Sequence, residues 1–167
     1  PISIRHTARP PDTHVAWALC RTETVLVATR AYLRRRGDPK VPADLHAHNC
    51  LHYPRSQDTP AWTFEPRTPQ HGQERVTVPV SGNFAANNSE ALREAALTGA
   101  GIALMPDFSA QDALRQGKLV PVLPAWRSVG VFAQEIYAIR PYAPHVPRAV
   151  AALVGHLKQG LALGFAI

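Results

Sequence analysis

The sequence predicts an α/β fold, and three observations carry the prediction. Between Asn87 and Phe108 the residues write a capped helix, a glycine stop, a buried strand and a proline break in one run. Short apolar, strand-like stretches alternate with helical ones along the rest of the chain. With 167 residues, 46% of them hydrophobic, the chain has material for one sizeable core or two small lobes.

Taken in order, residues 2–5 read as a strand, followed by a polar connector that holds Pro10 and Pro11. Residues 15–20 and 25–29 are strand pieces, and a short helix runs on to Arg36. Its last residues, Arg34, Arg35 and Arg36, suit the negative end of the helix dipole. Pro42, Ala43 and Asp44 open a turn that leads to a strand at 50–53. Residues 61–64 and 76–80 form two arms of a hairpin across Pro66, Pro69 and Gly72. Pro79 cannot donate to a ladder, which makes its arm an edge or a bulge.

A strand ending near Phe84, a helix from Asn88 and a strand from Gly101 then make a βαβ unit. Asn87 is the expected N-cap with Glu90 three residues on, and Leu92, Ala95 and Ala96 share one helical face. Gly99 supplies the left-handed residue after the helix. The continuous apolar run at 102–105 reads as a parallel strand covered on both faces, and Pro106 withdraws the next ladder donor. A helix at 110–116, strands at 119–122 and 134–139, and a helix at 147–157 with Pro147 near its first turn complete the chain.

Composition narrows the function classes. A net charge of +6 and a sequence pI near 9.9 raise the question of nucleic acid. Yet Arg34–Arg36 is the only run of three basic residues, and no aromatics are interleaved with the cations as a stacking platform requires. Two cysteines, Cys20 and Cys50, are too few for a disulfide framework and sit in apolar surroundings, which points to buried, inert thiols in a reducing compartment. His46, His48, Cys50 and His52 alternate as zinc ligands on a strand face would, but their segment begins as a turn, so no metal is assigned. No phosphate loop, dinucleotide fingerprint, zinc-protease helix or nucleophile elbow occurs, which leaves binding as the better reading and no cofactor to place. Nothing reads as a membrane span or a signal peptide, and the start at Pro1 reads as a cut.

Several of these stretches, in the same order, resemble the effector-binding domain of LysR-type bacterial transcriptional regulators. Glu90-Ala91-Leu92, Ala95-Ala96-Leu97, Gly99-Ala100-Gly101-Ile102-Ala103 and Pro106-Asp107-Phe108 have its form. So do Ile2-Ser3-Ile4-Arg5, the run from Thr24 to Leu33, the run from Pro42 to Leu51, and Gly117 to Pro124. The resemblance covers nearly the whole chain. It implies a two-lobed, periplasmic-binding-protein-like (type 2) fold whose second lobe is complete and whose first is partial. Residues 1–13 would end subdomain I and enter the hinge, 14–127 would form the effector-binding subdomain II, and 128–167 would be the return crossing and the C-terminal helix of subdomain I. Two crossings, near 6–14 and 124–135, would make the hinge. The helix-turn-helix and the opening of subdomain I would lie outside this sequence, so Ile2, Ile4 and the last helix would expose an apolar face.

The resemblance further implies a cytoplasmic regulator that self-associates as a dimer or tetramer, meets DNA only through the helix-turn-helix, and holds a small organic acid in the cleft between lobes. The physical case for an acid is the helix start at Asn87, Asn88 and Ser89, where backbone N–H groups and the positive dipole end favour an anion. Phe84 and Ala86 would line the apolar side, Pro106 the floor, and Arg5 and His6 would enter from the hinge, with Arg5 pairing a carboxylate. Where the family often carries Asp just inside the helix start, this chain has Asn88. The competing classes are a solute-binding protein of the same fold and a small hydrolase with a cysteine or serine nucleophile.

Overall fold

A computed structural model of the chain describes residues 1–54, 59–68 and 74–165. In order it has β1 (Ser3–His6), β2 (His14–Arg21), β3 (Thr24–Ala28), α1 (Arg30–Arg36), a 3-10 helix (Pro42–Ala47), β4 (Cys50–Leu51), β5 (Ala61–Pro66) and β6 (Val76–Pro79). There follow α2 (Ser89–Leu97), β7 (Ile102–Pro106), α3 (Asp107–Arg115), β8 (Val120–Pro121), β9 (Trp126–Val129), β10 (Glu135–Pro141) and α4 (Arg148–Gly160). The described residues fall into two compact units, 1–23 with 132–165, and 24–131. Among them no helix is long and apolar enough to cross a membrane.

In the first unit β10 is the central strand, antiparallel to β1 on one side and to β2 on the other. α4 packs on β2 and buries Val154. The sequence reading placed residues 14–23 in the second lobe. Instead β2 hydrogen-bonds along most of its length to β10, and the chain leaves this unit after Glu23 rather than between 6 and 14. The chain returns to this unit after Val131. Of the residues anticipated to expose an apolar face, Ile4 on β1 is 51% exposed and Leu153 on α4 is 41% exposed, whereas Ile2 is half-buried.

The second unit is built on a sheet ordered β4-β7-β3-β8. Every residue of β7 is buried, because α2 and α3 both pack against it and strands flank it on both sides. Only one flanking strand is parallel: β4 pairs Cys50 with Ile102, whereas β3 runs antiparallel with Thr24 opposite Pro106. This corrects the parallel-strand expectation. Burial on both faces comes from position in the sheet, and it writes the same apolar run whichever way the neighbours run. Leu92 and Ala96 of α2, Ala110 of α3, and Val27, Leu51 and Met105 from the strands meet in one core. Fully burying a leucine of this kind contributes about 1.5–3 kcal/mol. Gly99, at φ +77, turns the chain out of α2, with its N–H on the Ala96 carbonyl at 2.9 Å.

The expected strand near Phe84 shrinks to a single bridge between His52 and Ala85, and β4 takes its place as the parallel partner of β7. A second sheet, β6-β5-β9, holds the anticipated hairpin, with Trp62 opposite Val78, Phe64 opposite Val76, and Pro79 on the edge strand. Pro69 and Gly72, named as its turn residues, lie outside the described residues. Across this sheet Glu65 accepts from Arg75 and Arg127, which in that order hold its carboxyl below the usual range. The helix expected from residue 110 begins at Asp107, directly after β7.

Candidate functional site

The candidate site is the end of β7 and the helix starts beside it. α2 begins at Ser89 because Asn88 has extended backbone (φ −136, ψ 120) and turns its side chain onto the next turn. Its Oδ1 accepts from the Glu90 N–H at 2.7 Å and the Ala91 N–H at 3.4 Å. The cap is therefore Asn88, not Asn87. A cap must reach the amides two and three residues on, and only Asn88 meets Glu90 and Ala91 in that way. Two of the backbone donors expected to face a ligand are thus satisfied by the chain itself. Asn87 and Asn88 are exposed and Ser89 is half-buried.

Pro106 ends β7 and also serves as the residue before α3 (φ −62, ψ 147), buried and without a side-chain cap to give. Asp107, 4% exposed, fills that need: its Oδ1 accepts from the Phe108 N–H at 2.8 Å. The two helix starts are tied together by Ser89 Oγ and Ser109 Oγ at 2.8 Å, and Arg93 on α2 donates to the Ser109 carbonyl at 3.2 Å. Phe84, 39% exposed, and Ala86 are positioned by His52: the His52 N–H donates to the Phe84 carbonyl at 3.3 Å, and the Ala86 N–H donates to the His52 carbonyl at 3.2 Å.

Both first turns carry an acidic residue, Glu90 in α2 and Asp107 in α3, each placed near the positive end of its helix dipole. The two starts differ in their caps: the neutral amide of Asn88 caps α2, and Pro106 gives α3 none. Asp107, Ser109 and Arg93 are not site candidates from sequence, and His52 enters there only in the alternating His and Cys set weighed for a metal. The one local signal was the Pro106-Asp107 pair, which is written as a helix start.

Arg5 and His6 belong to the first unit. Arg5 is exposed on β1 opposite Tyr137. His6 is half-buried, and its Nε2 lies 2.6 Å from the Ala133 carbonyl and 2.9 Å from Thr22 Oγ1. A carbonyl only accepts, so Nε2 carries the proton, and Thr22 Oγ1 donates to the same carbonyl at 3.2 Å. His6 thus fastens the two segments through which the chain leaves and re-enters this unit.

The alternating His and Cys residues turn to separate partners. His46 is exposed, His48 is buried against Tyr32, Cys50 donates to the Leu45 carbonyl at 3.7 Å, and His52 Nδ1 donates to the Cys50 carbonyl at 3.1 Å. Among the described residues no group of three His, Cys, Asp or Glu is placed to hold a metal. Burial pushes the Cys50 thiol up to about 12, which leaves it no thiolate for nucleophilic work at neutral pH. Of the three arginines closing α1, Arg35 donates to the Gly99 carbonyl at 3.1 Å and Arg36 to the Ala47 carbonyl at 3.0 Å, so both serve the fold. A separate pocket of about 40 Å³, lined by Thr24, Phe64, Leu123, Trp126 and Ser128 among others, suits a water rather than an organic acid.

Residues 2–162 match the family described as the LysR substrate binding domain. The chain is 34% identical over 143 residues to the HTH-type transcriptional regulator PtxR of Pseudomonas aeruginosa, covering 86% of this chain and 43% of that protein. It is 30% identical over 135 residues to the probable HTH-type transcriptional regulator LtrA of Klebsiella pneumoniae, covering 81% of this chain and 42% of that protein. Among solved structures, the full-length Vibrio cholerae virulence activator AphB, a member of the LTTR protein family, matches with a TM-score of 0.73 at 26% identity, over 95% of this chain and 51% of that one. The chain spans less than half the length of these curated relatives.

Proposed function

The chain belongs to the LysR substrate binding domain family, and we propose that it is the effector-sensing part of a LysR-type transcriptional regulator whose ligand is a small organic acid held at the start of α2. Its α/β fold is the periplasmic-binding-protein-like one of LysR regulatory domains. The observation that carries the choice of ligand is the exposed start of α2, capped by the neutral amide of Asn88. Asn87, Asn88 and Ser89 would orient the carboxylate and Phe84 and Ala86 would meet its apolar body, with Pro106 as fixed backbone behind them. The reading is of a binding module, not an enzyme, working in the cytoplasm as an oligomer and signalling to a helix-turn-helix of the kind its relatives are named for. The names of those relatives as transcriptional regulators support it.

A thermal-shift screen of the chain against small aliphatic and aromatic acids tests this, since a ligand that binds only the folded state stabilises it by about 2.7 kcal/mol at a hundredfold excess over Kd. Asp caps a helix as well as Asn does, so Asn88→Asp keeps the fold while adding a negative charge at the site. The expected result is an unchanged midpoint without ligand and loss of most of the acid-induced rise. Hits confined to neutral or cationic compounds, or an acid shift that Asn88→Asp leaves intact, would remove the anion site.

A further inference from the structure

A second feature of residues 24–131 stands apart from that site. Tyr32 of α1 and His48, just after the 3-10 helix, are 2% and 7% exposed and face each other, with the phenol oxygen 3.0 Å from His48 Nδ1. The same oxygen accepts the Asn49 N–H at 3.1 Å. A backbone N–H can only donate, so one lone pair of the phenol is taken and its own proton is left to be given. His48 Nδ1 is the acceptor in reach, which makes it the bare nitrogen of a neutral imidazole.

We propose that His48 is an acid-released latch: neutral, it fastens the 3-10 helix Pro42–Ala47 to α1 through Tyr32, and protonated, it can no longer accept, so the fastening opens. Protonation would turn two donors on one phenol oxygen and strand the phenol proton in a buried place. The charged groups around the ring come from three segments. Arg36 of α1, bonded to the Ala47 carbonyl, opposes a charge on His48, and Arg35 lies 5.7 Å over the Tyr32 ring. Asp38, on the connecting loop with Lys40 paired to it at 2.6 Å, and Asp44 of the 3-10 helix favour that charge. β6, which also packs on the 3-10 helix, contributes no charged residue. Burial first and Arg36 second prevail, and hold His48 below the ordinary histidine value of 6.5.

The latch reaches further than its own bond. Asn49 donates through Nδ2 to Asn83 Oδ1 and to the Ala100 carbonyl, both at 2.8 Å, and accepts the Asn83 N–H at 2.9 Å. Release of the Asn49 backbone therefore loosens the segment that leads to Phe84 and the entry to β7. None of this depends on which ligand, if any, sits at α2.

An unfolded histidine takes its proton near 6.5 and the folded one only at lower pH. The latch's stability is whole above 6.5 and is lost as pH falls from 6.5 toward the folded value. The test is a histidine-ring NMR titration and a urea-midpoint series on the full chain from about pH 8 to about pH 5, for wild type, His48→Gln and Tyr32→Phe. The His48 signal, assigned by its loss in His48→Gln, is expected to titrate below 6.5 and to rise in Tyr32→Phe. The wild-type urea midpoint is expected to fall further in acid than that of His48→Gln. Titration at or above 6.5, a midpoint that Tyr32→Phe does not move, or the same acid slope in His48→Gln would each overturn the latch. Should His48→Gln fail to fold, the ring titration of wild type against Tyr32→Phe decides alone.

Discussion

Gly101 enters β7 pressed against the main chain of the strand beside it: a methyl group there would stand 2.2 Å from the Asn49 carbonyl oxygen. That oxygen accepts the Ile102 N–H at 2.9 Å, so it cannot withdraw without breaking the first bond of the β4–β7 pairing. Gly101→Ala is accordingly expected to cost about 3 kcal/mol or more, as a forced main-chain displacement in a core does. Urea denaturation of the variant measures it, and a loss under about 1 kcal/mol would show that the Asn49 segment yields. The sequence marks Gly101 only as the residue before an apolar run. Its neighbour Asn49 is distant in the chain, so the reason for glycine becomes visible only when β4 and β7 lie side by side. The same holds for Tyr32 and His48, each unremarkable locally.

Among the elements, the long apolar or amphipathic ones were legible because their burial is written in their own residues. The run at β7, the Leu92 and Ala96 face of α2 and the alternation of β5 needed no partner to be recognised. Elements whose inward side is polar were not. β9 was missed because its one buried residue is Ser128, which reads as surface. α3 was started late because Pro106 closes a ladder and opens a helix at once, two roles that the apolar pattern cannot separate. The cap of α2 slipped by one residue because Asn87 and Asn88 are chemically identical and only backbone geometry distinguishes them. That slip has a measurable consequence. Asn88→Ala is expected to destabilise the chain by about 1 kcal/mol, with Asn87→Ala near neutral. Equal losses in the two variants would return the cap to both asparagines.

At the scale of the whole molecule, the division of the chain rests on a pairing between distant segments. β2 looked like the opening of the second lobe because β3 follows it within three residues, yet its hydrogen bonds run to β10 near the other end of the sequence. Local pattern carries no information about that choice, which is why the strand itself is legible in the sequence and its partner is not. The two units also differ in how much they bury. In residues 24–131 the central strand β7 is buried throughout and lies within a core that both α2 and α3 cover. In the first unit three of the four β1 residues are exposed and Val154 is the one buried residue of α4. Local opening is easiest where few apolar contacts must be broken. Native-state hydrogen exchange followed by mass spectrometry is therefore expected to find the amides of β3 and β7 exchanging at least about tenfold more slowly than those of β1 and α4. Uniform protection across the four elements would mean that the chain opens only as a whole, with the thin cover on β1 and α4 made good by cooperativity rather than by contacts of their own.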